Sequence, residues 1–90
     1  MADFVDVRLE NDEQWEPILK DSSFYEDCVK DFCKNHPEYY KDAIDLDGYR
    51  ELIIEVRDKN TNPMKYSATI DKFYNFYIKD LQNSRRQHPS

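Results

Sequence analysis

A chain of 90 residues with a formal charge of −6 and a pI near 4.8 accommodates one domain and no second core. Residues 1–60 hold 17 acids against 8 Lys/Arg, a net of −9, and residues 61–90 hold 2 acids against 5 Lys/Arg, a net of +3. So lopsided a field repels nucleic acid and anionic lipid and draws in positively charged macromolecules, so neither direct nucleic-acid binding nor a membrane role is expected.

The 39% hydrophobic and 14% aromatic content supports a folded chain despite the charge. Gly48 is the single glycine, which argues against a glycine-rich phosphate cradle. No apolar run reaches membrane-spanning length, and the start, Met-Ala-Asp-Phe-Val-Asp-Val, has no basic-then-apolar signal pattern. Cys28 and Cys33 lie five apart on an expected helix, about 140° around its axis, a spacing that disfavours a disulfide. Reduced thiols point to a cytoplasmic location.

In chain order, Phe4–Glu10 alternates: Val5, Val7 and Leu9 face one way and Asp6 and Arg8 the other, which predicts a half-buried strand. Asn11 and Gln14 have capping-box spacing ahead of Trp15, Ile18 and Leu19, so a short helical turn is expected there, limited by Pro17. Ser23 and Glu26 form a second capping box. The helix behind it gathers Phe24, Tyr25, Cys28, Val29, Phe32 and Cys33 on one face, with Glu26, Asp27, Lys30, Asp31 and Lys34 opposite. Asn35-His36-Pro37 ends that helix, and Pro37 opens a second. There Tyr39, Tyr40, Ala43 and Ile44 share a face against Glu38, Asp42 and Asp45, and Asp47-Gly48 closes the element. Tyr49–Asp58 fits both helix and strand spacing; Ile53, Ile54 and Val56 favour a strand. After the turn-rich 59–63, Met64, Tyr66, Ala68 and Ile70 alternate with polar residues, giving an antiparallel hairpin. A last helix is expected from near Asp71, with Ile70, Phe73, Tyr74, Tyr77, Ile78 and Leu81 at helical spacing and Phe76 outside the stripe.

The expected fold is therefore α+β: a small antiparallel sheet of about three strands packed against amphipathic helices, order β-α-α-β-β-α, over residues 1–82, with 83–90 as a flexible tail. At this size the balance between burial and ordering entropy is narrow, so a homodimer covering an edge strand or Phe76 would add stability.

Catalytic chemistry finds little support. His88 falls in the tail and His36 in an interhelix turn, while Cys28 and Cys33 read as core-face thiols, so no triad assembles. Cys28, Cys33 and His36 diverge in helical phase and no second pair completes a zinc site. Asp45-Leu46-Asp47-Gly48 resembles part of a calcium loop, but alignment on Gly48 places Ala43 and Ile54 where acidic ligands belong. No enzyme, no metal and no cofactor are expected.

What remains is the ordered acid pattern. Asp27 and Asp31 are spaced four apart and Glu38, Asp42 and Asp45 four and three apart, so each helix carries a row of carboxylates at a rise of about 6 Å per four residues. Like charges so spaced oppose helix formation, and a surface selected only for solubility intersperses signs more evenly. Tyr39 and Tyr40 are adjacent, so one of them borders the acid row, and tyrosine is favoured at recognition surfaces. The expected partner-binding residues are Glu26, Asp27, Asp31, Glu38, Tyr39, Asp42, Asp45 and Asp47. The expected partner is a basic protein, such as a nuclease or another DNA-binding protein, and the expected action is inhibition by imitating the charge of DNA. In size, acidity and lack of catalytic groups the chain is similar to small anti-defence proteins and nuclease-immunity proteins, with no shared motif. The alternative is a structural or adaptor subunit that uses Phe76 and the hairpin edge, its acids serving solubility.

Overall fold

The computed structural model describes residues 3–21, 23–59 and 62–81. The chain runs β1 (Asp3–Leu9), β2 (Glu16–Lys20), α1 (Tyr25–Asn35), a 3-10 turn (Pro37–Tyr39), α2 (Lys41–Asp47), β3 (Tyr49–Arg57), β4 (Met64–Asp71) and β5 (Phe76–Asp80). All pairings are antiparallel, in the order β2-β1-β3-β4-β5. The fold is α+β, a five-stranded sheet with both helices on one face.

Strand alternation decides which face is which. Val5 lies opposite Ile18, Val7 opposite Val56, Leu52 opposite Ala68, Ile54 opposite Tyr66 and Ile70 opposite Phe76. These side chains point to the helix layer, and all but the half-buried Phe76 belong to the buried core. A one-residue slip would send every one of them to solvent, so the pattern fixes the register. Cys28, Val29, Phe32 and Cys33 of α1 close over this face, joined by Tyr40 and by Ile44 of α2. The helix α1 touches all five strands, and α2 rests on β3.

The predicted strand at Phe4–Glu10 appears as β1, and the predicted hairpin as β3–β4 with Ile54 against Tyr66. Both thiols are free and buried. Gly48 caps α2 at φ 85°, donating its N–H to the Ile44 carbonyl at 2.8 Å, as the Asp47-Gly48 pair implies.

Several expectations are corrected, and the order becomes β-β-α-α-β-β-β with five strands rather than three. Residues 16–20 form β2 instead of a helical turn; Pro17 is accommodated because β2 is an edge strand. The N-cap of α1 is Phe24, with no side-chain cap bond, so Ser23 does not close a capping box; the acids Glu26 and Asp27 in the first turn still oppose the positive end of the helix dipole. Pro37 opens a single 3-10 turn before α2 rather than α2 itself.

The largest correction is at 71–80, where a turn and a strand replace the expected helix. The Asp71 carboxylate accepts the backbone N–H groups of Phe73 and Asn75, both at 2.9 Å, the Asn75 amide at 3.3 Å and the Tyr77 hydroxyl at 3.2 Å. Tyr74 adopts φ 63° and completes the reversal. An aspartate preceding a polar-aromatic run serves a helix N-terminus and a local turn equally well. Here the alternation of Phe76 and Ile78 inward with Tyr77 and Lys79 outward, together with aromatic strand preference, decides for β5. The expected tail, 83–90, lies outside the described residues. Among the described residues, no helix is long and apolar enough to cross a membrane.

Candidate functional site: an acidic helix layer above a charge-paired sheet

The two faces of the sheet handle charge differently. On the open face Arg8 lies directly across from Glu55 and Arg57 across from Asp6, and both form ion pairs, at 2.7 and 3.2 Å. Lys65 pairs with Glu10 at 2.9 Å. Trp15 lies beneath both guanidinium groups, each 4.3 Å from its ring. Arg8, Arg57 and Lys65 on this face are thus neutralised or stacked, while Lys79 on the edge strand β5 is exposed.

The helix layer is arranged the other way. From Ser23 to Gly48 the chain carries seven acids against three lysines, a net of −4. Asp27 and Asp31 lie on the exposed side of α1, with Glu26 half-exposed. Asp42, Asp45 and Asp47 are exposed on α2. Among the described residues, Glu26, Asp31, Asp42, Asp45 and Asp47 form no ion pair, nor do Lys30, Lys34 and Lys41. The amphipathic pattern forces this arrangement: burying Val29, Phe32 and Ile44 turns the intervening acids outward. Leu46, 83% exposed, stands among the α2 acids as an apolar point of contact.

Two expected site residues serve another purpose. Glu38 accepts a hydrogen bond from His36 Nδ1 at 2.9 Å, while Glu16, on β2, accepts one from Nε2 at 2.5 Å. Burial alone would lower the His36 pKa; the two carboxylates outweigh it and hold the imidazole above its ordinary value. The hydrogen bond from His36 in turn lowers the Glu38 pKa. Tyr39 is half-buried and stacks on His36, with centroids 4.9 Å apart and planes 15° apart, and the Phe32 ring lies 4.9 Å from His36 and 6.0 Å from Tyr39. Tyr40 is buried. The aromatic neighbour of the acids is therefore Tyr39, held inward over a cleft of about 210 Å³ that Trp15, Glu16 and His36 also line.

From the sequence His36 reads as a plain turn residue, and this clamp between β2, the end of α1 and the 3-10 turn goes unseen. The His36-Pro37-Glu38 spacing carries half of the signal; Glu16, twenty residues away, is not visible as a partner. Phe73, Tyr74 and Tyr77, expected on a buried stripe, are all exposed, Phe73 at 72%. Phe76 instead faces the helix layer, edge-on to Tyr40 at 5.8 Å and half-buried, so it is not the displayed aromatic that helical spacing implied.

Chemically reactive groups are quiet. Burial pushes the Cys33 thiol up to about 12, and burial likewise raises Cys28. Among the described residues no group of three His, Cys, Asp or Glu side chains is placed to hold a metal ion. Comparison with family models gives no match, and neither curated proteins nor solved structures provide one.

Proposed function

We propose that this chain is a non-catalytic binding protein whose helix layer occupies a basic, nucleic-acid-binding surface of another protein and antagonises it by standing in for DNA. One observation carries this reading: Arg8, Arg57 and Lys65 on the sheet face are each matched by a carboxylate, while the exposed acids Asp31, Asp42, Asp45 and Asp47 of the helix layer have no ion-pair partner among the described residues. Rigid elements bearing unmatched charge raise association rates with an oppositely charged groove and select against wrong partners. Leu46 and the half-buried Tyr39 supply apolar contact beside the charge.

The test uses the intact chain as bait at low salt, beside a bait carrying Asp42→Lys, Asp45→Lys and Asp47→Lys. Nucleic-acid-binding proteins retained by the first bait, lost from the second and released by moderate salt are the expected result. Retention of the same proteins by both baits, or retention indifferent to salt, refutes the proposal.

A second reading, a structural or adaptor subunit, is favoured by the exposed aromatics Phe73, Tyr74 and Tyr77 at the β4–β5 end. In that case Phe73→Ala, rather than reversal of the acids, abolishes capture. Phe73 takes the place first given to Phe76.

A further inference from the structure

We infer that β5 is the seam of a homodimer in which two copies of the chain pair their β5 strands antiparallel across a two-fold axis at Ile78, extending the sheet through both molecules. The two edges of the sheet differ. The β2 edge carries Pro17, which lacks an N–H donor and blunts further pairing. The β5 edge contains no proline, and no described strand covers its outer side.

The register determines which backbone groups face outward. The Asp71 N–H donates to the Asn75 carbonyl at 3.2 Å, so Asp71 and Asn75 form a hydrogen-bonded pair. Antiparallel pairs alternate, which gives Thr69–Tyr77 and Ser67–Lys79 the same role and turns the N–H and C=O groups of Phe76, Ile78 and Asp80 away from β4. An axis at Ile78 sets Ile78 against Ile78 of the second copy and Phe76 against its Asp80. Each outward residue then exchanges both of its bonds with an outward residue across the seam. An axis between two residues would set an outward group against one committed to β4; an axis at Tyr77 would place Asp80 against the turn residue Tyr74, and one at Lys79 would set the two Lys79 side chains against each other.

The side chains agree with this register. On the open face Tyr77 lies across from Lys79 of the second copy, twice by symmetry, in the closely spaced type of pair that lets a lysine lie along an aromatic ring. On the helix side the two Ile78 side chains meet. Beside them runs a groove of about 500 Å³ lined by Lys30 and Lys34 of α1 and by Tyr74, Phe76 and Tyr77. Glu26 lies one helical turn before Lys30 on α1, so the two-fold axis brings the acidic end of one α1 toward the Lys34 end of the other. Such a surface is complementary to itself, which an isologous contact requires. The inference is independent of what the helix-layer acids bind.

Sedimentation velocity of the full chain over roughly 5 to 500 µM tests it, a range that brackets micromolar association. A monomer–dimer equilibrium is expected. Tyr77→Lys places like charges across the seam and weakens dimerisation about tenfold or more. Adding Lys79→Glu to that variant restores it, because opposite charges then face each other at both positions. Tyr77→Phe, which removes the bond to Asp71 but keeps the ring, leaves it unchanged. Ile78→Pro removes an outward donor without touching a bond to β4 and abolishes the dimer; far-UV circular dichroism confirms the fold of each variant. A monomer at every concentration, or a dimer insensitive to Tyr77→Lys, overturns the inference.

Discussion

Removing Trp15 tests whether the open face is held by its stacked cations. Arg8 and Arg57 each sit 4.3 Å from the Trp15 ring, and their side chains are 25% and 39% exposed. Partly exposed stacks of this kind contribute roughly 0.5–1 kcal/mol each. The half-buried indole also keeps about 100 Å² of apolar surface from water, at roughly 25 cal/mol per Å² a further ~2 kcal/mol. Trp15→Ala is therefore expected to cost about 3–4 kcal/mol. Urea unfolding followed by far-UV circular dichroism measures it, since tryptophan fluorescence is lost in the variant. The specific claim is the coupling, which a double-mutant cycle with Arg57→Met isolates because methionine preserves the apolar stem. A coupling of about 0.5–1 kcal/mol is expected, and the same for Arg8→Met. Coupling energies within ~0.3 kcal/mol of zero for both arginines would show that the ring only fills space, and the reasoning fails.

Three further outcomes follow from the structure. The raised His36 pKa means that the folded state holds its proton more tightly than the unfolded chain; this contribution is complete below about pH 6.5 and is lost as pH rises through the folded value. Stability of the native chain is thus expected to fall over that interval, and urea midpoints for His36→Gln should lack that fall; equal slopes in the two proteins would contradict the clamp. Gly48→Ala meets no atom within 4 Å of the new methyl group, so its cost is the left-handed backbone alone, about 1 kcal/mol in urea titration, with Gly48→Asn milder. Cys33, buried and held near 12, should react with a disulfide reagent at pH 8 about a thousandfold more slowly in the native chain than in urea; comparable rates would mean that α1 opens readily.

Much of the core was legible because it obeys simple periods. Val5 and Val7 alternate on β1, Leu52, Ile54 and Val56 on β3, and Phe32 with Val29 keeps helical spacing, so burial follows composition. The misread segments are those where both periods fit and a distant contact arbitrates. At 71–80 the aromatics repeat at intervals that satisfy either a helix or an alternating strand; the Asp71 carboxylate and the waiting edge of β4 choose. At 16–20 Pro17 suggested an interrupted helix, and only the position of β2 at the rim of the sheet makes a proline strand reasonable. Asp27, Asp31, Asp42 and Asp45 fall on the exposed helix faces because amphipathicity alone puts them there, whereas Glu38, expected in the row of the second helix, lies in the 3-10 turn against His36. That Asp31, Asp42, Asp45 and Asp47 have no ion-pair partner among the described residues was not legible, because it depends on where the arginines go, and Arg8 and Arg57 go to the opposite face through pairings 47 and 51 residues distant.

The course of α1 across every strand has a consequence for how the molecule comes apart. Two locally wound pieces, the β1–β2 hairpin and the β3–β4–β5 meander, bracket this helix in sequence, and each leaves an oily side bare without it. Apart from α2 resting on β3, neither piece has a shelter of its own, and detaching the rod from one bares the other. Melting of this protein is accordingly a single event, with the hairpin and the meander surrendering together.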